Sequence, residues 1–306
     1  MGTHLLRAYL SSESTRKIKP AIKARILQEF NSVQSVLRAP DLLEQVLGNA
    51  ELSRRIWLEL LDLRLSHVFD DESPRFLGCS CIAQAHWCDL KAIFTSLCKE
   101  YGFKAAYDQD VLLQGERPTI EDYNRLLSER LAHADNVGFT LEAIETSRGR
   151  VSWDWETGRI VQEGIPDPRI RGELIEAHRA EQYPQIRFHF GFMDKIIIGV
   201  PDGITDEFCY EFKSTQNEFL HWYVLPVAKS QASLYAYFLK RPRIRIQIHI
   251  LDTDEVKTVV QEADYAQTEA ELTRFVELLS GQREAIPPRR WKCGKCEFQK
   301  YCNVSR

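Results

Sequence analysis

The stretch GVPDGITDEFCYEFKST, residues 199–215, holds the residue types best suited to chemistry. Asp202 follows an apolar run, IIIGV, at a turn that Pro201 and Gly203 favour. Glu211 and Lys213 stand two apart on the next predicted strand, so their side chains leave one face of a sheet, and Cys209 shares that parity. Tyr210, Phe212 and Phe208 point the other way, into packing. An acid at a strand end beside a Glu-x-Lys pair can bind a hard divalent cation through carboxylate oxygens. Such an ion lowers the pKa of a bound water and neutralises a phosphate oxygen, while Lys213 would hold the water or the scissile phosphate. So short a motif is usually a surface ion pair beside a turn acid. The apolar run before it and the aromatics interleaved with it argue for core-adjacent strands instead.

A second group lies in the tail. WKCGKCEFQKYCN, residues 291–303, sets Cys293, Cys296 and Cys302 at C-x2-C-x5-C spacing, one ligand short of a tetrahedral site. Cys79, Cys81, Cys88, Cys98 and Cys209 supply candidates for the fourth. In an intracellular chain they are more readily metal ligands or buried thiols than disulfides. Gln231 and Tyr235 are i and i+4 on a predicted helix and share a face. There a glutamine can orient water or touch a phosphate, and a tyrosine can stack on a base. His178 and, as its rival, His133 could each complete a metal site through a neutral imidazole.

The elements that must position these groups follow from periodicity. Residues 17–68 read as helices with a break near Pro40, and DDESPRFLG (70–78) reads as a polar linker. IAQAHWCDLKAIFTSLCKEYGF reads as one helix with Cys88 inside it. A helix opened by Thr119 as cap is expected through 145, and RVSWDWETGRIVQ as a hairpin. From residue 172 the predicted order is a helix to 182, strands at IRFHF, KIIIGV and EFCYEFKS, a helix over 217–239, and strands at RIRIQIHIL and EVKTVVQ. A last helix leads to Pro287-Pro288 and the cysteines. This order suggests a mixed sheet flanked by helices.

Composition bounds the rest. The 306 residues are 44% hydrophobic and 27% charged, enough to bury a sizeable core. A net charge of −4 excludes a globally basic nucleic-acid binder, so a DNA partner needs a local basic groove. PPRRWKCGK with Lys229, Lys240, Arg241, Arg243 and Arg245 could supply phosphate contacts. No apolar run approaches the roughly 18–20 residues of a membrane span. MGTHLLRAYL is too short a run for a signal peptide, and Leu6 breaks the myristoylation pattern. The expectation is a cytoplasmic protein with no membrane partner.

His178, GVPD with Asp202, EFK with Glu211 and Lys213, and Gln231-x3-Tyr235, in that order, resemble the PD-(D/E)XK nuclease superfamily, and within it the RecB-like branch marked by the Q-x3-Y helix. The tail CGKCEFQKYC resembles the iron–sulfur members of that branch, including the CRISPR-associated RecB-like exonucleases, with one cysteine before the core and three after it. SCIAQAHWCDLKAIF matches the upstream segment in outline and puts Cys88 at the ligand position. Asp89 and Leu90 stand where the family often has Pro-Arg, which keeps Cys81 and Cys79 open as ligands.

The resemblance implies an α/β fold with a restriction-endonuclease-like mixed β-sheet core over about 172–262, flanked by helices, inside a nuclease domain 76–306. A helical extension, 1–75, precedes it, and a cysteine cluster region drawn from 79–101 and 287–303 closes it, while 102–170 have no counterpart. It implies that His178, Asp202, Glu211 and the backbone carbonyl of Phe212 hold Mg2+ or Mn2+, that Lys213 is catalytic, and that Gln231 and Tyr235 touch DNA near the cut. Cys88, Cys293, Cys296 and Cys302 would hold a [4Fe–4S] cluster. The implied activity is exonucleolytic hydrolysis of DNA, single strands favoured, with protein partners in CRISPR adaptation or DNA repair. Two other readings stand beside it. One is a DNA-binding or assembly subunit of the same fold with little cleavage. The other is an interaction protein whose four thiolates hold zinc.

Overall fold

The computed structural model describes residues 3–114, 119–125, 143–146, 149–154, 159–163, 186–294 and 296–302. The chain is mixed α/β and forms two compact units, one of residues 1–116, 191–198 and 272–306, the other of 117–190 and 199–271. Among the described residues no helix is long and apolar enough to cross a membrane.

The first unit opens with α1 (Thr3–Leu10), α2 (Pro20–Glu29), α3 (Val33–Leu37), α4 (Pro40–Leu47) and α5 (Ala50–Ser66). Pro20 and Pro40 start their helices, where the missing N–H costs nothing. Ser32 and Ser35 form a reciprocal capping box on α3, the Asn49 side chain caps α5, and Gly48 ends α4 at φ 64°. Their apolar faces close on one core that includes Leu6, Ile26, Val33, Leu43 and Ile56.

The expected linker 70–78 is a linker only in part. Phe76–Gly78 form β1, paired in parallel with β6 (Lys195–Gly199), Phe76 opposite Ile196 and Gly78 opposite Ile198. A three-residue strand is too short to leave a period in the sequence. The linker acids are tied down as well, with the Gln34 N–H donating to Asp71 and the Ser32 hydroxyl to Glu72. The single helix expected around Cys88 is broken. α6 (Cys79–Ala83) passes into a 3-10 turn at 84–86, and α7 (Asp89–Gln114) starts afresh. Cys88 therefore sits just ahead of α7, its carbonyl accepting from the Ala92 N–H, and not inside a helix.

In the second unit Thr119 caps residues 120–125 as expected, exchanging hydrogen bonds with Asp122. The end of that expected helix is a strand instead. Ala143–Thr146 form β2 and pair antiparallel with β3 (Gly149–Asp154), which forms the expected hairpin with β4 (Arg159–Glu163). Strand pairing outweighs helix propensity at β-branched Ile144 and Thr146. The helix expected over 172–182 lies outside the described residues.

The remaining elements are β5 (Phe188–Phe192), β7 (Gly203–Ile204), β8 (Phe208–Thr215), α8 (Glu218–Leu239), β9 (Arg243–Ile250), β10 (Glu255–Glu262) and α9 (Tyr265–Leu279). The larger sheet runs β10-β9-β8-β7, with β8 and β9 parallel and the outer pairs antiparallel. α8 is the crossover that a parallel pair requires, and it packs on both strands. Its start is capped by the Asn217 side chain. Register sets Cys209, Glu211 and Lys213 beside Ile244, Ile246 and Ile248, so all six share one face. Tyr210 and Phe212 take the other face, beside Arg245 and Gln247. Both faces of β8 are sealed: Cys209, Tyr210, Glu211 and Phe212 are each 0% exposed.

Gly199, at the end of β6, leaves room for two aromatic rings. A Cβ there would lie 2.5 Å from Phe188 Cζ and 2.9 Å from Tyr235 Cε1. Gly199→Ala is expected to destabilise the protein by about 1–3 kcal/mol through overpacking. The measurement is the urea midpoint, and an unchanged midpoint would contradict this packing.

Candidate functional site

Asp202, Glu211 and Lys213 come together in the second unit. The turn after β6 brings the Asp202 carboxylate back onto β8, where its Oδ2 accepts the Phe212 N–H at 2.7 Å. The Lys213 ammonium lies 2.6 Å from Glu211 Oε1, with the lysine side chain 20% exposed and the glutamate 0%. Burial pushes the Asp202 carboxyl above its ordinary pKa, and the Lys213 charge and the Phe212 N–H pull it partly back. Asp202 is thus bonded to the central strand that carries Glu211 and Lys213 and feels the lysine charge; carboxylate oxygens are ligands for a divalent cation, and an ammonium can stand beside a phosphate. His178 and His133 both lie outside the described residues.

Gln231 and Tyr235 meet as the helical spacing predicts, Gln231 Nε2 donating to Tyr235 Oη at 2.7 Å. The pair is internal, with exposures of 7% and 2%, and the Tyr235 ring stands edge-on to Phe188 at 5.9 Å. Most of the tail half of α8 is buried, Val227, Ala228, Ala232, Leu234, Ala236, Phe238 and Leu239 among it, and the pair is buried with it. Of the basic residues expected to face phosphate, Arg241 is buried and donates to the carbonyls of Thr205 and Leu239 and to Asn124 Oδ1. It is a structural clamp. Lys240 lies over the rings of Tyr237 and Tyr265, and Arg243 pairs with Glu262 at 2.8 Å.

In the first unit, Cys88, Cys293, Cys296 and Cys302 line one cavity. Cys79 and Cys81 do not line it and are each 1% exposed, which separates Cys88 from its two rivals. Burial raises the buried Cys81 thiol and the half-buried Cys98 thiol to about 11, away from ready ionisation. Burial raises Cys88 too, but the Lys91 and Leu90 backbone N–H groups at the start of α7 donate to its sulfur and act in the opposite sense. Four thiols on one cavity are a donor set that suits zinc or an iron–sulfur cluster. Among the described residues no group of three or more His, Cys, Asp or Glu side chains lies close enough together to hold a metal ion.

The tail reaches this cavity through contacts that involve no sulfur, and sequence reasoning missed them. The Phe94 and Phe298 rings stack at 5.2 Å, Lys292 Nζ donates to the Trp87 carbonyl at 2.9 Å, and Lys300 and Tyr301 both donate to Asp62. Asp89 is 2% exposed and accepts from Arg274 and from the Ile286 N–H at 2.9 Å. It anchors the approach to the tail. The available signal was the pairing of a tryptophan with each end of the set, HWC at 86–88 and WKC at 291–293.

No family model matches the sequence, and no curated protein matches it. A solved structure titled "Crystal structure of SSO0001" is similar over 82% of this chain and 98% of its own, at 12% identity and a TM-score of 0.39. A likeness at that level carries no argument about fold or function.

The raised Asp202 pKa has a consequence for stability. The folded state binds more protons than the unfolded chain between the unfolded and folded values, so stability falls as pH rises through that window. In chelator, Asp202→Asn is expected to melt above wild type at neutral pH, and the two should converge as pH falls below about 4. Thermal melts across pH check this, and a variant that melts below wild type at neutral pH would contradict it.

Proposed function

We propose that the chain is a metal-dependent deoxyribonuclease with a restriction-endonuclease-like core, acting on DNA ends and favouring single strands. The observation that carries the reading is the convergence of Asp202, Glu211 and Lys213, with Asp202 hydrogen-bonded to the Phe212 N–H and Glu211 paired with Lys213. Their order in the chain and the Gln231–Tyr235 pair on the following helix support it.

In this reading Asp202 and Glu211 would present carboxylate oxygens and the Phe212 carbonyl a third, and the sequence resemblance adds His178, which lies outside the described residues. A Mg2+ or Mn2+ ion bound there would supply an acidified water and neutralise charge on the phosphate. Lys213 keeps its ammonium beside Glu211 and within reach of an incoming phosphate or water. Gln231 and Tyr235 brace the helix behind the site, a positioning role that their burial favours over direct contact with DNA.

The four-cysteine set is assigned to a [4Fe–4S] cluster that joins the start of α7 to the tail, with zinc as the alternative occupant of the same thiols. The setting, CRISPR adaptation or DNA repair with protein partners, rests on the sequence resemblance alone. A second reading, a DNA-binding or assembly subunit that cuts poorly, is favoured by the complete burial of Glu211 in its pair with Lys213.

The test is cleavage of 5′- and 3′-end-labelled single and double strands with Mn2+. Wild type is expected to cut, and Lys213→Ala and Asp202→Ala to lose at least about a hundredfold in rate. Cleavage surviving both changes would exclude this site, and wild type that binds DNA but never cuts would establish the second reading. Protein purified anaerobically is expected to be brown, and Cys302→Ala to lose the colour. A colourless wild type carrying zinc would remove the cluster.

A further inference from the structure

Residues 16–25, RKIKPAIKAR, carry five basic side chains and no acidic one, in a chain whose net charge is −4. They lead into α2 and form its first turns, within the first unit. Two of the five are engaged locally. Lys23 Nζ donates to the Leu10 carbonyl at 2.6 Å and to Thr15 Oγ1 at 3.0 Å, which ties α2 to the end of α1. Arg16 pairs with Glu13 at 3.0 Å. Lys17, Lys19 and Arg25 are exposed and, among the described residues, belong to no ion pair. Ile18 and Ile26 are buried beside them, which turns the three cations outward.

This charge pattern works against the helix. Lys19 stands at the N-cap of α2 and makes no side-chain cap, and the first turn holds no acid. Cations at that end of a helix oppose its dipole. In the same unit α5 shows the ordinary pattern, where Glu51, Arg54, Arg55 and Glu59 mix signs and Arg55 pairs with Glu59 at 3.7 Å. A row of like charges kept without acids suits a partner that brings the negative charge itself. Among the described residues no large apolar side chain ahead of Leu58 is exposed. The segment therefore lacks the apolar and aromatic anchors on which protein interfaces centre. A phosphate backbone needs none.

We propose that Lys17, Lys19 and Arg25 bind the phosphate backbone of single-stranded DNA, whatever its base sequence. The inference rests on the nuclease reading for the choice of DNA and gives the N-terminal helices a part in holding it. Each cation neutralises one phosphate and releases a condensed counterion, so binding weakens steeply as salt rises. Lys23 makes no phosphate contact in this assignment; its bonds to Leu10 and Thr15 keep the segment in place.

The experiment uses the full chain and a fluorescently labelled single strand of DNA, with chelator present so that nothing is cut. Anisotropy is read over a range of salt. Wild type is compared with a neutral triple variant (Lys17→Gln, Lys19→Gln, Arg25→Gln) and a charge-keeping one (Lys17→Arg, Lys19→Arg, Arg25→Lys). A control carries Arg54→Gln and Arg55→Gln on α5. All the replaced side chains are exposed, so thermal melts should agree. Wild type is expected to bind, with log affinity falling linearly in log salt. In the neutral triple variant that slope should be shallower by about 2, and in each single neutral variant by about 0.7. Affinity of the neutral triple variant at low salt should fall at least about tenfold. The charge-keeping variant and the α5 control should match wild type. Equal slopes in wild type and the neutral variants overturn the inference. So does an equal loss in the α5 control, which would mean that charge anywhere on the unit serves. Polyglutamate that binds as tightly as the oligonucleotide, and loses its binding in the neutral triple variant, overturns DNA in favour of an acidic protein. Wild type that neither binds nor cuts DNA overturns the nuclease reading, and this inference with it. Wild type that cuts with Mn2+, beside a neutral triple variant that binds equally well, overturns the inference alone.

Discussion

A glutamate with no solvent exposure sits in the middle of a sheet, and Lys213, 2.6 Å away, is what makes that placement tolerable. Desolvating a carboxylate is expensive unless an opposite charge and hydrogen bonds answer it. Leaving either partner alone in such a place costs about 3–5 kcal/mol, whereas a hydrophobic pair of similar volume would often be as stable or more so. The surrounding structure serves this arrangement. Parallel pairing of β8 with β9 sets isoleucines beside Glu211 and Lys213, and α8 packs on both strands. The turn at Pro201–Gly203 returns Asp202 to the neighbouring Phe212 amide. A charged group kept at such cost, on the strand whose Phe212 N–H is bonded by a second acid that burial pushes above its ordinary pKa, fits a working site better than a device for stability.

The first unit poses the complementary problem of bringing cysteines far apart in sequence onto one cavity. Sulfur alone does not do it. Stacking of Phe94 on Phe298, the bonds of Lys300 and Tyr301 to Asp62 and of Lys292 to the Trp87 carbonyl, and the buried Asp89 with Arg274 all hold the tail against α5 and α7. These contacts pre-assemble the thiols, so a bound centre need not bear the whole entropic cost of closing so long a loop. Asp89 belongs to the same set of contacts, bonded to Arg274 and to the Ile286 N–H. Its carboxylate is used.

Much of this was legible in the sequence where periodicity was strong. The alternation of RIRIQIHI and the apolar run KIIIG marked β9 and β6, and Thr119 and the prolines at 20 and 40 marked helix starts. The spacing of Glu211 and Lys213 and of Gln231 and Tyr235 marked two pairs that do meet, the first as an ion pair and the second through a hydrogen bond. What failed was short or decided by tertiary pairing. β1 is three residues long, β2 hides at the end of a helical pattern, and a 3-10 turn breaks the helix before Cys88. Burial also outran the pattern, because two-residue alternation distinguishes two faces but not whether both are covered. β8 is covered on both, and Arg241 is sealed inside rather than solvated.

The most direct test of the central claim is whether the carboxylates bind the ion that hydrolysis needs. Mn2+ can be titrated into wild type and Glu211→Gln with chelator removed, following the free ion by electron paramagnetic resonance. The account predicts saturable uptake by wild type and a clear loss of affinity in Glu211→Gln, which keeps the shape but not the charge. Equal uptake by both proteins, or none by wild type, would contradict it.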